Sequence, residues 1–339
     1  VSTSEDSLGL DVDDDSTVSS LSVAHITPVS IANTKTLSGA ITVTAGSIKL
    51  AETGTLASSI SMSGGVLDAD NSLTVSGALT QSGNITIDVL TDKTLTYSGT
   101  AISLGANTLT LTGGGSLVSG GLTLNDPSSK LLLNSITVDS VSTSADSSSG
   151  GLDAADDSTV SSPPVAHITP VSIASGKTLS GAITLTAGSI KLAETGTLAS
   201  SISMSGGVLD ADNSSTVSGA LTQSGNITID VATSKTLTYS GTAISLGANT
   251  LTLSGGGSLV SGGLTLNDAS SKLVLNSITV DNVSTSANSL GLDVDNNSTI
   301  TALSVANITP VSIAGSKILS GAITVTAGSL KLNETGTLA

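Results

Sequence analysis

Residues 35–54 read KTLSGAITVTAGSIKLAETG, and their apolar side chains fall two apart: Ile41 with Val43, Ile48 with Leu50. Ser, Thr and Ala fill the places between, and Gly39, Gly46 and Gly54 punctuate the stretch. An alternation of two places one face of a strand against a core and the other in water, and glycine between such runs marks turns. The same grammar continues outward. TLASSISMSGGVLDADNS (55–72), LTVSGALTQSGNITIDVLTD (73–92), KTLTYSGTAISLGANTLTLTGG (93–114) and GSLVSGGLTLNDPSS (115–129) follow. KLLLNSITVDS (130–140) and STVSSLSVAHITPVSIANT (16–34) complete the set. No window carries the i, i+3, i+4, i+7 spacing of an amphipathic helix.

A longer period encloses these pieces. VSTSEDSLGLDVDDDSTV at Val1 returns as VSTSADSSSGGLDAADDSTV at Val141 and as VSTSANSLGLDVDNNSTI at Val283. The chain of 339 residues divides into repeat units 1–140, 141–282 and a partial unit 283–339. Between 18–140 and 160–282 the sequence differs at 12 positions. Two of the changes, Leu73 to Ser215 and Leu90 to Ala232, remove an apolar side chain, so those positions are expected to face outward or lie in turns. Seven pieces in each unit of about 140 residues give about 20 residues per piece, each holding two or three strands of three to five residues. The expectation is an all-β fold, a β-solenoid of about seventeen coils with seven coils per repeat, the coils stacked about 4.8 Å apart. On this reading the chain is one continuous rod and a fragment of a longer one. A β-sandwich array is the competing architecture; it requires longer strands and core aromatics.

Composition narrows function. The chain has no Cys, Trp or Phe, two Tyr (Tyr97 and Tyr239), ten basic residues that are all Lys, and a formal net charge of −16. It therefore has no thiol chemistry or disulfide framework. Its charge opposes binding to nucleic acid or anionic membranes. No apolar run approaches the length of a membrane helix, and two tyrosines cannot supply the girdles of a membrane barrel, so no membrane insertion is expected. A narrow coil interior explains the scarcity of rings and places both tyrosines at the surface or in turns. The composition argues against an enzyme.

TLTLTGGGSLVSGGLTLND and LTVSGALTQSGNITID resemble the coils of secreted bacterial right-handed β-helix proteins: filamentous haemagglutinins, autotransporter passenger domains and giant repetitive adhesins. The resemblance spans nearly the whole chain and implies a solenoid fold and an extracellular or cell-surface location. It implies no activity.

Few residues invite chemistry. Asp11, Asp13 and Asp15 have the alternation of an oxygen-rich calcium loop. The equivalent stretch at 153–157 loses the spacing, Asn297 replaces the last carboxylate in the third unit, and the EF-hand Gly and Glu are missing. A solvated acidic loop is the expectation; calcium, as a possible divalent-cation partner, is the alternative. Asp68–Asp70 and Asp210–Asp212 read as turns. His25 and His167 occupy equivalent places that Asn307 takes in the third unit, which points to a polar strand-end residue. The Thr pairs at 42/44, 94/96 and 108/110/112 have the TxT form of ice-binding faces, although such pairs arise often in half-polar strands. Carboxylates for glycan chemistry lack the aromatics that line sugar clefts. Pro28, Pro170 and Pro310 mark a turn or strand entry, and Pro163 with Pro164 are expected to break strand pairing. Four functions follow as expectations. The first is a structural protein that self-associates, end to end or laterally, into an extracellular fibre, sheath or filament. The second is the stalk of an adhesin whose binding domain lies outside this segment. The remote ones are an ice-binding solenoid or a polysaccharide-active β-helix.

Overall fold

The computed structural model describes residues 1–2, 8–147 and 149–339, with the side chains of Ser162 and Pro163 excepted. The described residues form strands, turns and no helix. Among the described residues every register pairing between strands is parallel, and successive turns of chain lie about 20 residues apart, giving a β-solenoid of about 16 turns. The chain separates into two compact units, Val1–Pro163 and Pro164–Ala339.

In each unit a coil contributes to three ladders. In the first unit, Ile48, Leu67, Ile87, Leu111, Leu133 and Ala154 stack in register along the first ladder. All six side chains are buried. Leu37, Leu56, Val75 and Tyr97 stack along the second. Leu21, Ile41, Ile60 and Leu79 stack along the third. The core is thus a set of aliphatic columns, and each column exists because one register step in the ladder is one coil in the sequence. The second unit repeats the scheme: Ile190, Leu209, Ile229, Leu253, Leu275 and Val294 form its first-ladder column. From Ile168–Ile173 to Ile308–Ile313 that ladder advances seven coils, as the 140-residue spacing requires.

Strand lengths depart from expectation. Some strands have two residues, such as Thr55–Leu56, and others eight, such as Thr36–Val43 and Ser298–Val305. The long ones are second- and third-ladder strands joined through a bulge: the register of Ser16–Val23 on Thr36–Val43 shifts between Val18 and Leu21. Gly39, at φ +121°, sits at that bulge, and a Cβ there would lie 1.8 Å from the Val18 carbonyl oxygen. The prolines also differ from expectation. Pro28, Pro170 and Pro310 lie within the strands Ile26–Ile31, Ile168–Ile173 and Ile308–Ile313 rather than at their entries. The strand Ser158–Val165 includes Pro163 and Pro164, and its described register pairs, at Thr159 and Val160, lie before them.

Two interior positions overturn the sequence reading. Leu73 and Ser215 are buried, not outward. Tyr97 and Tyr239 are buried as well, at 3% and 4% exposure, so a coil does hold a ring. Room is made by Gly99 and Gly241, where a Cβ would fall 2.5 Å from the tyrosine hydroxyl. Leu90 is exposed, as expected.

Candidate functional surface

Polar side chains in this fold are spent mostly on joining one coil to the next. At the coil corners backbone N–H groups lose their ladder acceptors and side chains replace them. Thr36 N donates to Asp15 Oδ1 (2.9 Å), Thr108 N to Asn84 Oδ1 (2.8 Å) and Thr94 N to Ser72 Oγ (3.0 Å). In the second unit Thr250 N and Thr236 N bond Asn226 Oδ1 and Ser214 Oγ in the same way. Asn297, which replaces the carboxylate of Asp15, receives the N–H of Ile318 at 3.0 Å. The position needs an acceptor oxygen rather than a charge, which accounts for the exchange of Asp for Asn.

The tyrosines perform the same service in the third ladder. Described register pairs join Leu79–Gln81 to Ser59–Met62, and Ile102–Ser103 to Leu122–Leu124, but do not join Leu79–Gln81 to Ile102–Ser103. Across this interruption Leu79 N donates to Tyr97 Oη at 2.9 Å, and Leu221 N donates to Tyr239 Oη at 2.9 Å. Sequence reasoning missed this role, although Leu95 and Tyr97 are two apart and therefore in phase.

Of the sequence-predicted acids, Asp11 lies on the strand Leu10–Val12, and Asp13 and Asp15 on the turn after it; all three are exposed. Asp14 between them pairs with Lys35 at 2.7 Å, and this hydrogen bond lowers the Asp14 pKa and raises that of Lys35. With Asp15 engaged by Thr36 N and Asp14 by Lys35, the four carboxylates do not converge. Among the described residues no group of three or more His, Cys, Asp or Glu side chains is placed to hold a metal ion.

Charge concentrates on the outer face of the first ladder. Lys49, Asp68 and Asp88 stack in register, so Asp68 lies on a strand rather than in a turn. Lys49 Nζ lies 3.3 Å from Asp68 and 2.9 Å from Asp70. Lys191 repeats this with Asp210 (3.2 Å) and Asp212 (2.7 Å). Partial burial raises the pKa of Asp68 and Asp210, opposed by the neighbouring lysine. Lys130 pairs with Asp153 at 2.7 Å, and Lys272 with Asp293. All ten lysines fall in two settings. Lys49, Lys130, Lys191, Lys272 and Lys331 lie on first-ladder strands. Lys35, Lys93, Lys177, Lys235 and Lys317 close turns by N–H bonds of 2.9 Å to the carbonyl three residues back.

His25 is half-buried between the strands Ser16–Val23 and Ile26–Ile31, and its carbonyl accepts from Thr27 Oγ1 at 3.2 Å. Asn307 accepts from Thr309 in the same way, at 3.1 Å. The threonine pairs do not build a continuous plane: Thr110 stacks between Thr86 and Leu132, Thr108 beside Lys130, and Thr112 beside Asp88. No family model, curated protein or solved structure matches this chain.

Proposed function

We propose that this protein is a structural one, a rod-forming segment of an extracellular or cell-surface fibre, sheath or filament. The observation that carries the reading is where the polar groups go. Carboxylates, amides, hydroxyls and both tyrosines bridge one coil to the next, and the two units place the same residues at the same bridges. Such a chain gains length without enlarging its core, since each coil is held by its neighbours. Ladder hydrogen bonds then run along the long direction, and the negative charge of the surface keeps separate rods apart.

Electron microscopy of the purified 339-residue chain tests this. Thin elongated particles, with diffraction from aligned samples at about 4.8 Å along the particle axis, support it. Globular particles overturn it.

A further inference from the structure

Two equivalent turns differ by a single residue. NDPSSK (125–130) follows the third-ladder strand Leu122–Leu124 in the first unit, and NDASSK (267–272) follows Leu264–Leu266 in the second. Both close in the same way. The carbonyl oxygen of Asp126 accepts the N–H of Ser129 at 2.9 Å, and that of Asp268 accepts the N–H of Ser271 at 3.0 Å. Asp126 Oδ1 accepts the N–H of Ser128 at 2.9 Å, and Asp268 Oδ1 that of Ser270 at 2.8 Å. The Asp126 N–H donates to Ser129 Oγ at 3.0 Å, and the Ser129 hydroxyl donates to the Gly105 carbonyl one coil back. Asp268, Ser271 and Gly247 repeat these bonds. Ser129 and Ser271 are fully buried and anchor the turns, whereas Pro127, Ser128 and Ala269 are exposed to water.

The one difference changes a leaving group. The peptide bond inside the first turn is Asp126–Pro127, a tertiary amide whose nitrogen carries no N–H. A carboxylate oxygen of Asp126 that bonds to the carbonyl carbon of its own residue closes a five-membered ring. The Oδ1 hydrogen bond fixes that carboxylate in the turn, beside its own backbone. The Ser129 N–H already sits on the carbonyl oxygen, where negative charge develops during attack. Nucleophile and N–H donor recur in the second turn. There the nitrogen to be expelled is the secondary amide of Ala269, which takes a proton less readily than the tertiary amide of a proline.

We propose that the Asp126–Pro127 bond is a self-cleavage site, opened in mild acid by the Asp126 carboxylate. A lone pair of Asp126 Oδ2 forms the new bond to the Asp126 carbonyl carbon. The bond from that carbon to the Pro127 nitrogen breaks, its electron pair stays on nitrogen, and the nitrogen takes a proton from the solvent. The products are a cyclic anhydride at Asp126 and a secondary amine at Pro127. One water then opens the anhydride and leaves Asp126 as a new C-terminus, so the net reaction is hydrolysis and nothing is oxidised or reduced. The break falls at a coil corner, outside the ladder strands. Leu122–Leu124 stays paired with Ile102–Ser103 and Val141–Thr143, and Lys130–Leu133 with Thr108–Thr112 and Gly151–Ala154. The two pieces therefore stay stacked until the chain is unfolded. This activity does not depend on the rod reading.

Intact mass spectrometry under denaturing conditions is the test, on the full chain after incubation at about pH 4, the ordinary range of carboxyl titration. Two fragments are expected, residues 1–126 and 127–339, whose masses sum to that of the chain plus one water, with no break after Asp268. Asp126→Asn and Pro127→Ala abolish the fragments. Ala269→Pro adds a second break, after Asp268; among the described residues no hydrogen bond uses the Ala269 N–H, so the turn accepts the proline. Circular dichroism confirms that each variant retains its β-structure. The contribution of the turn is read by repeating the incubation in guanidinium chloride on chain shown to be unfolded. The folded chain is expected to cleave about tenfold faster or more, because only there are carboxylate and N–H donor held in place. An intact Asp126–Pro127 bond in the folded chain, or cleavage no faster folded than unfolded, overturns the proposal. So does a folded Ala269→Pro variant that stays whole after Asp268.

Discussion

Leu73 and Ser215 occupy the same point of the coil in the two units, and both are buried. Leu73 packs in register beside Leu95, and Ser215 beside Leu237. The serine buries no comparable apolar area, but its Oγ lies 2.7 Å from the Glu194 carbonyl oxygen and 3.2 Å from that of Asn213. One position therefore accepts a transfer-driven side chain in one unit and a hydrogen-bonded one in the other. What the ladder fixes is the direction in which the residue points. How the residue then meets the interior is left to its chemistry, provided that its polar atoms find partners.

The comparison predicts unequal costs. Leu73→Ala should destabilise its coil by about 2–4 kcal/mol through lost burial and a residual cavity. Ser215→Ala should cost about 1 kcal/mol, the net worth of a hydrogen bond. Hydrogen exchange on peptides around each site reads the two locally; equal costs would break the comparison. Next in size, Tyr97→Phe leaves the buried Leu79 N–H without its acceptor and should cost about 1–3 kcal/mol. Tyr239→Phe should cost the same in the other unit. Faster exchange at Leu79 and Leu221 checks this, and a marked inequality would show that the difference between the units spreads beyond position 73.

A smaller contrast lies at Thr34, whose φ is +66°, and Gly176, its counterpart at +74°. A β-branched residue is strained in that conformation, whereas no atom stands near a Cβ at Gly176. Thr34→Gly should stabilise by about 1 kcal/mol, and Gly176→Thr should destabilise by about as much. Urea midpoints measure both. The smallest effect is on pH. Burial holds the Asp68 carboxyl above its ordinary value of 3.8, so the folded chain keeps this proton more tightly than the unfolded chain. That contribution is fully present below the ordinary value and is lost as pH rises through the raised one. In Asp68→Asn this part of the pH dependence of the urea midpoint should vanish, and Asp210→Asn should match it.

Much of the fold was legible in alternation alone. Ile41 with Val43 and Ile48 with Leu50 point inward as their spacing requires, and the 140-residue repeat returns as seven coils. The errors arose where another argument overrode that spacing. Leu73 and Val75 are two apart, as are Leu95 and Tyr97, and their phase already placed them inside. A missing leucine in the second unit and a general aversion to rings pointed the other way. Gly99, two residues after Tyr97, was the signal that the coil makes room. The corner roles of Asp15, Asn84 and Ser72 were less legible, since an acceptor for an amide one coil away leaves no periodic trace. The pairing of Lys49 with Asp68 and Asp70 likewise depends on register, which spacing between coils of unequal length does not supply.

The central claim is that one 140-residue repeat is seven stacked coils. Ser175 and Gly315 are exposed, sit on equivalent turns of the second unit and lie 140 residues apart. With no native cysteine in the chain, Ser175→Cys and Gly315→Cys allow a spin label at each site and a distance by pulsed electron resonance. Seven steps of parallel strand spacing predict a narrow distribution near about 34 Å. A distribution centred far from that value, or one too broad to define a centre, would contradict the stacked-coil account.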